Sequence, residues 1–259
     1  MIYFVAFLGL VFGSFLNVLI YRLPNNKSIV RPASHCPNCQ HMLAWYDNIP
    51  VVSYLLLGGK CRYCKKTISP RYLMVELING GLWALSYSVF GFNGLMVLAC
   101  VFISVCLVIT FIDLEHMIIP DSMNIGILVV GIVLIFLPNR LGNPSLSITW
   151  QDQVIGFGFG IGFLLLMALI EKVFQKEVMG GGDLKMIAAV GLFLGWQLTI
   201  LGIMLASIIG SLIEIILRIA SLRAKNEPLP FGPYLVIGFL TSLFVGIDLI
   251  NWYLNLFKF

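Results

Sequence analysis

Two aspartates in apolar surroundings, Asp113 and Asp183, are the residues of this chain best placed to do chemistry. The first ends an apolar run over 95–112, and the second precedes one over 186–194. A carboxylate at membrane depth is costly and functional by default, so the first question is what partners it. Two carboxylates in one low-dielectric site share a proton. One can then activate water while the other protonates a carbonyl or a leaving amine. Such a pair is equipped to hydrolyse a peptide bond. The plainer alternative is that each aspartate caps a helix at the membrane surface. Gly180-Gly181-Gly182 leads into Asp183 and offers positive φ and close approach of a neighbouring chain. Asp183 then meets the N–H groups at a helix start, which favour an anion. Asp121 competes for a place in the pair, but it follows Pro120 at the start of a further apolar run, where an N-cap explains it. Lys185, Glu115 and His116 are supporting candidates; His116 shares a face with Asp113 if the helix continues. His116 is the sole histidine near an apolar run and has no serine partner, which argues against a serine-type protease.

The second constellation is made of cysteines. Cys36-Pro37-Asn38-Cys39 and Cys61-Arg62-Tyr63-Cys64 form two C-x2-C pairs separated by 21 residues. That spacing suits a tetrahedral zinc ion held by four thiolates, closed to substrate and therefore structural. Disulfides would give a similar pattern, but a cytoplasmic loop is kept reduced. His35 and His41 flank the first pair, and Cys100 and Cys106, within an apolar run, are packing residues.

The elements that position these groups follow from composition. Of 259 residues, 59% are apolar and 11% charged, with a mean hydropathy of +0.98. An all-α, polytopic membrane protein is expected. Apolar runs fall at about 2–21, 72–90, 95–112, 123–137, 154–170, 183–194, 198–219 and 234–253, so about eight transmembrane helices are expected. Three parts follow: a first helix (1–21), a polar loop domain (22–71) and a seven-helix core (72–259). The loop carries eight Lys/Arg against one acid, Asp47. The positive-inside rule places it in the cytoplasm, and with it fourteen of the sixteen Lys/Arg, leaving Arg140 and Lys258 outside. The same scheme brings both aspartates to the inner side. The net charge of +4 reflects topology and implies no nucleic-acid partner. Gly156, Gly158, Gly160 and Gly162 contain G-x-G patterns, but with no preceding strand they read as helix packing.

Several segments resemble the type 4 prepilin peptidase family in order along the chain. They are Gly13-Ser14-Phe15-Leu16-Asn17-Val18 with Arg22-Leu23-Pro24, and the cysteine pairs around Trp45-Tyr46-Asp47-Asn48-Ile49-Pro50. Ser69-Pro70-Arg71-Tyr72 with Glu76, Ile112-Asp113 to Pro120-Asp121, Gly180-Gly181-Gly182-Asp183 with Lys185, and Pro230-Phe231-Gly232-Pro233 follow. The G-x-G-D element of Gly180, Gly182 and Asp183 is shared with other intramembrane aspartic proteases. The resemblance implies that Asp113 and Asp183 are catalytic and that Cys36, Cys39, Cys61 and Cys64 hold zinc. It implies cleavage of a basic leader from prepilins or pseudopilin precursors at the cytoplasmic face of the bacterial inner membrane. It further implies S-adenosylmethionine-dependent N-methylation of the new terminus. No sequence motif identifies the methyl-donor site; Glu76 and Arg71, at the mouth of the second apolar run, are polar residues without an assigned task. A membrane methyltransferase without protease activity and a proton-coupled transporter are the competing expectations.

Overall fold

A computed structural model describes residues 1–136, 149–175, 179–220 and 229–256. The polar loop expected at 138–151 and the basic link expected at 221–230 lie mostly outside the described residues, as do Arg140, Lys176, Arg223, Lys225 and Lys258. The helices are α1 (Ile2–Arg22), α2 (Val52–Leu56), α3 (Arg71–Phe90), α4 (Gly94–His116), α5 (Asp121–Phe136), α6 (Trp150–Phe174), α7 (Gly181–Leu194), α8 (Trp196–Ile219) and α9 (Gly232–Leu256). All but α2 coincide with the eight apolar runs. Six are long and apolar enough to cross a membrane, namely α1, α3, α4, α6, α8 and α9. With 16 and 14 residues, α5 and α7 are shorter.

Two boundaries differ from expectation for local reasons. Beyond residue 112, α4 runs on through Asp113 to His116, and Met117, in the left-handed region (φ 54°), turns the chain out of it. At its start, α6 gains residues because Thr149 and Asp152 form a capping box.

The chain divides into two compact units, Met1–Val108 and Ile109–Phe259. In the first, α1 and α3 run antiparallel and in close contact. A Cβ on Gly9 would meet the Gly80 backbone at 2.8 Å, and one on Gly13 would meet the Glu76 backbone at 2.8 Å. Gly9 and Gly13 form the G-x3-G pattern that lets membrane helices approach closely. Where no water is available, polar side chains must find partners inside the protein. Asn79 donates to the Gly9 carbonyl at 2.7 Å, the Ser104 hydroxyl donates to Asn79 Oδ1 at 3.0 Å, and Trp83 Nε1 donates to Ser104 at 3.1 Å.

In the second unit, α7 is the core. Its residues from Met186 to Leu194 are all buried, as expected of a helix that is apolar on every face. Against it, antiparallel, lies α6: a Cβ on Gly156 would overlap the Gly191 carbonyl, and one on Gly160 the Ala188 backbone. On another side, a Cβ on Gly131 of α5 would meet Leu192 at 3.1 Å. Gln153, buried in α6, donates to the Leu192 carbonyl at 3.0 Å. The glycine series of α6 is therefore a packing device, as expected, but only in part. Gly158 and Gly162 face open space.

That alternation gives a test. Gly160→Ala is expected to lower the stability of the detergent-solubilised protein by about 1–3 kcal/mol through overpacking. Gly158→Ala and Gly162→Ala should leave it unchanged or slightly raised, because alanine is the better helix former. Thermal unfolding followed by the helix signal compares the three; equal losses would refute the assignment of faces.

Candidate active site and metal centre

Asp113 is buried in the last turn of α4, and Asp183 is partly buried in the first turn of α7. Both lie in the second unit. Their hydrogen bonding is unequal. Asp113 Oδ2 accepts the backbone N–H of Gly232, the first residue of α9, at 2.9 Å. Asp113 thus does meet a helix start, but that of another helix, across 119 residues of chain. Asp183 does not cap its own helix. Gly180 is the N-cap residue, and Asp183 Oδ1 is buried without a hydrogen-bond partner among the described residues. A buried acceptor left open costs about 1–3 kcal/mol and calls for an explanation.

Of the three glycines before Asp183, two act by size and none by φ. None of them has positive φ. A Cβ on Gly182 would meet Ile119 at 2.8 Å, and one on Gly180 would stand 2.9 Å from Asp183 Oδ2. Gly181 faces open space. Close approach, the second property expected of the turn, is the operative one. Asn124 of α5 donates to the Gly182 carbonyl at 3.3 Å and ties the 117–124 segment to the same turn.

The supporting candidates separate clearly. Asp121 is exposed at the start of α5, and its Oδ1 accepts from Lys185 Nζ at 2.8 Å, an ion pair well away from burial. Such a surface pair contributes about 0–1 kcal/mol. The helix does reach His116, yet His116 is exposed whereas Asp113 is buried. Sequence alone assigns no role to Gly232 or Asn124. The Pro-Phe-Gly-Pro segment was the available signal for the first, and nothing marked the second.

In the first unit the four cysteines of the loop come together. Their sulfurs all lie within 4.8 Å of one another, with Cys36 Sγ and Cys64 Sγ 3.9 Å apart. Tetrahedral zinc–thiolate bonds of about 2.3 Å set sulfurs about 3.8 Å apart, so the donor set fits zinc. The two knuckles have the same backbone plan. Cys36 N–H donates to His41 O and Gln40 N–H to Cys36 O; Cys61 N–H donates to Lys66 O and Lys65 N–H to Cys61 O. Gln40 (φ 58°) and Lys65 (φ 60°) hold the matching left-handed positions. Within the cluster the thiol pKa values are pushed apart: backbone N–H groups, that of Cys64 foremost, bring Cys61 down to about 7, whereas Cys39 is pushed up to about 11 against the other three sulfurs. His41 packs its ring on Tyr63 with centroids 3.6 Å apart, and His35 contacts Ala33 O, so neither joins the sulfur cluster. Arg62 meets Asp47 at 2.8 Å and joins the second knuckle to the short helical turn Trp45–Asn48.

Glu76, in α3, is buried; Arg71 starts α3 with its guanidinium over the Tyr72 ring. At the end of α1 a cavity of about 440 Å³ is lined by residues including Tyr21, Arg22, Lys27, Arg31, His35 and Gln40. Arg22 is fixed there by the carbonyls of Ser28 and Pro32 at 2.9 and 2.7 Å.

Comparison with known proteins gives the family of the chain. Residues 7–90 match the model of the bacterial peptidase A24 N-terminal domain, and residues 100–215 that of the type IV leader peptidase family. The chain is 41% identical over 242 residues to a prepilin leader peptidase/N-methyltransferase of Myxococcus xanthus, covering 90% of this chain and 70% of that one. It is 34% identical to proteins of the same name from Aeromonas hydrophila (96% and 92% covered) and Pseudomonas aeruginosa (96% and 91% covered). No solved structure matches.

The metal centre makes its own prediction. The reduced, purified protein is expected to contain one zinc per chain. Serine at any of Cys36, Cys39, Cys61 or Cys64 should release it and expose the 33–69 segment to limited proteolysis. Elemental analysis finding no zinc, with the thiols paired as disulfides, would overturn the assignment.

Proposed function

The chain belongs to the type IV leader peptidase family, and we propose that Asp113 and Asp183 are the pair with which it cuts prepilin-like precursors. It is a multi-pass membrane protein with leader peptidase and N-methyltransferase activity. The observation that carries the site assignment is the unequal bonding of two carboxylates in one compact unit, one holding a backbone N–H and the other with a buried oxygen that has no partner among the described residues.

The roles follow from that inequality. Asp113, already accepting from Gly232, is the carboxylate; Asp183 is the acid. Asp113 takes a proton from water, whose oxygen forms a bond to the scissile carbonyl carbon, while Asp183 gives its proton to the carbonyl oxygen. Collapse breaks the C–N bond, and the proton held by Asp113 passes to the leaving amine. Asp183 recovers its proton from the collapsing hydroxyl, and the pair is restored. The basic character of the loop supports an orientation with loop and pair at the cytoplasmic face of the bacterial inner membrane, where the leader of a membrane-held substrate helix is reached. Prepilin or pseudopilin precursors are the substrates.

Methyl transfer needs a polar site for a charged donor, which the apolar helices do not offer. S-adenosylmethionine would supply the methyl group as an electrophile to the new amine. In the cavity at the end of α1, Lys27 and Arg31 would hold the carboxylate of such a donor. That lining holds no carboxylate to face the sulfonium, so Lys27 and Arg31 would grip the donor by its carboxylate end alone. Zinc bound to the four cysteines would be structural and would hold the two knuckles together.

Asp113→Asn and Asp183→Asn are each expected to lower cleavage by about 10³-fold with the protein still inserted and folded. Asp121→Asn, which removes only a surface ion pair, should retain substantial cleavage. Mass spectrometry of a co-expressed precursor, reporting leader loss and a gain of one methyl group, reads both reactions. Activity surviving in Asp113→Asn with Asp121→Asn inactive would break the proposed pairing.

A further inference from the structure

Val51 sits where a β-branched residue is rarely found. Its backbone is at φ 63°, ψ −52°, and Val52 N–H donates back to Pro50 O at 2.6 Å. Together these form a γ-turn of the strained, positive-φ kind. Such conformations persist only when their surroundings impose them. Here one buried group does so: Glu76 Oε2 accepts the Val51 N–H at 2.8 Å. Glu76 is 8% exposed, in α3. It stands where α1 and α3 touch, its own backbone facing Gly13.

The turn is the first link in a chain of contacts leading to the second knuckle. Helix α2 follows directly, with Leu55 N–H on Val51 O. Tyr54 of α2 donates its hydroxyl to Ile68 O at 3.2 Å and takes Gly59 N–H on its carbonyl. A Cβ on Gly59, which is at φ 67°, would meet the Tyr54 hydroxyl at 3.0 Å. Two residues beyond Gly59 is Cys61. Glu76 thus reaches from the membrane helices, through one strained turn, to half of the cysteine cluster.

We propose that Glu76 is a positioning residue for methyl transfer: by holding the Val51 turn it fixes the loop on the inner ends of α1 and α3, and methylation depends on this while leader cleavage does not. The inference rests on the reading that the loop carries the methyl-transfer site. The acid acts as a hydrogen-bond acceptor, and its charge is not what the turn requires.

Five variants of the whole chain test this, each assayed for cleavage, for methylation of a precleaved substrate, for zinc content and for amide exchange over 49–56. Glu76→Ala is expected to lower methylation about tenfold or more, since small misplacements cost that much. Exchange over 49–56 should quicken, while cleavage stays within about twofold and zinc is retained. Glu76→Gln keeps an acceptor oxygen and should methylate nearly as the parent does. Val51→Pro, which has no N–H and cannot take positive φ, should reproduce the Glu76→Ala pattern with the acid untouched, and decides the matter if Glu76→Ala fails to insert. Val51→Gly combined with Glu76→Ala should regain methylation, because glycine adopts the turn unaided. Normal methylation in Glu76→Ala, an equal fall in both activities, or Glu76→Gln as impaired as Glu76→Ala would overturn the proposal. A Cys61→Ser chain that methylates normally would refute the loop reading beneath it; loss in Cys61→Ser with none in Glu76→Ala or Val51→Pro refutes the clamp alone.

Discussion

The backbone contact between α6 and α7 is the constraint on which the second unit depends. At 1.5 Å per residue, the fourteen residues of α7 span about 21 Å, well short of a hydrocarbon core of about 30 Å. The height at which such a helix sits is not fixed by its own length. It is fixed by what grips it, here Gly156 against Gly191 and Gly160 against Ala188. Asp183 stands in the first turn of that gripped helix, so the pairing of small residues along α6 and α7 sets the depth of a carboxylate. The hydrogen bond from Gln153 to the Leu192 carbonyl adds a directional tie near the far end.

Several polar groups in the helices find partners inside the protein. Asn79, Ser104 and Trp83 satisfy one another, and Asp113 takes an N–H that α9 could not otherwise satisfy from within itself. Asp183 Oδ1 has no hydrogen-bond partner among the described residues, a condition it shares with Asn17 Oδ1, Asn124 Oδ1 and Ser242 Oγ. In the loop, strain at Val51 is offset by Glu76, with one buried group sustaining a local departure from the favoured state.

Much of this was legible in the sequence where a residue type admits few physical readings. A carboxylate beside an apolar run and two C-x2-C pairs in one basic loop are of that kind, and the sulfur cluster and the two aspartates of the second unit follow them closely. The helices were legible from hydropathy, although α4 was expected to stop at Asp113, because a polar residue on a buried face looks like an end. Pair contacts were not legible. Nothing in the order of residues announces that the Gly232 N–H meets Asp113, that Asp121 meets Lys185 and not its own helix end, or that Glu76 faces Val51. Glycine was half legible. Its presence before Asp183 signalled a backbone requirement, but φ and close approach are alternatives that only neighbouring atoms decide.

The three glycines before Asp183 are also unequal in what they allow. Gly180 and Gly182 each face an atom that a side chain would strike, and Gly181 between them faces none. A lineage carrying this turn can therefore exchange the middle residue at little cost while the outer two are held. Over many generations of drift, such a turn leaves a glycine, an unspecified letter, a glycine and an aspartate. The gap in that pattern is the imprint of one α-carbon that points away from its neighbours.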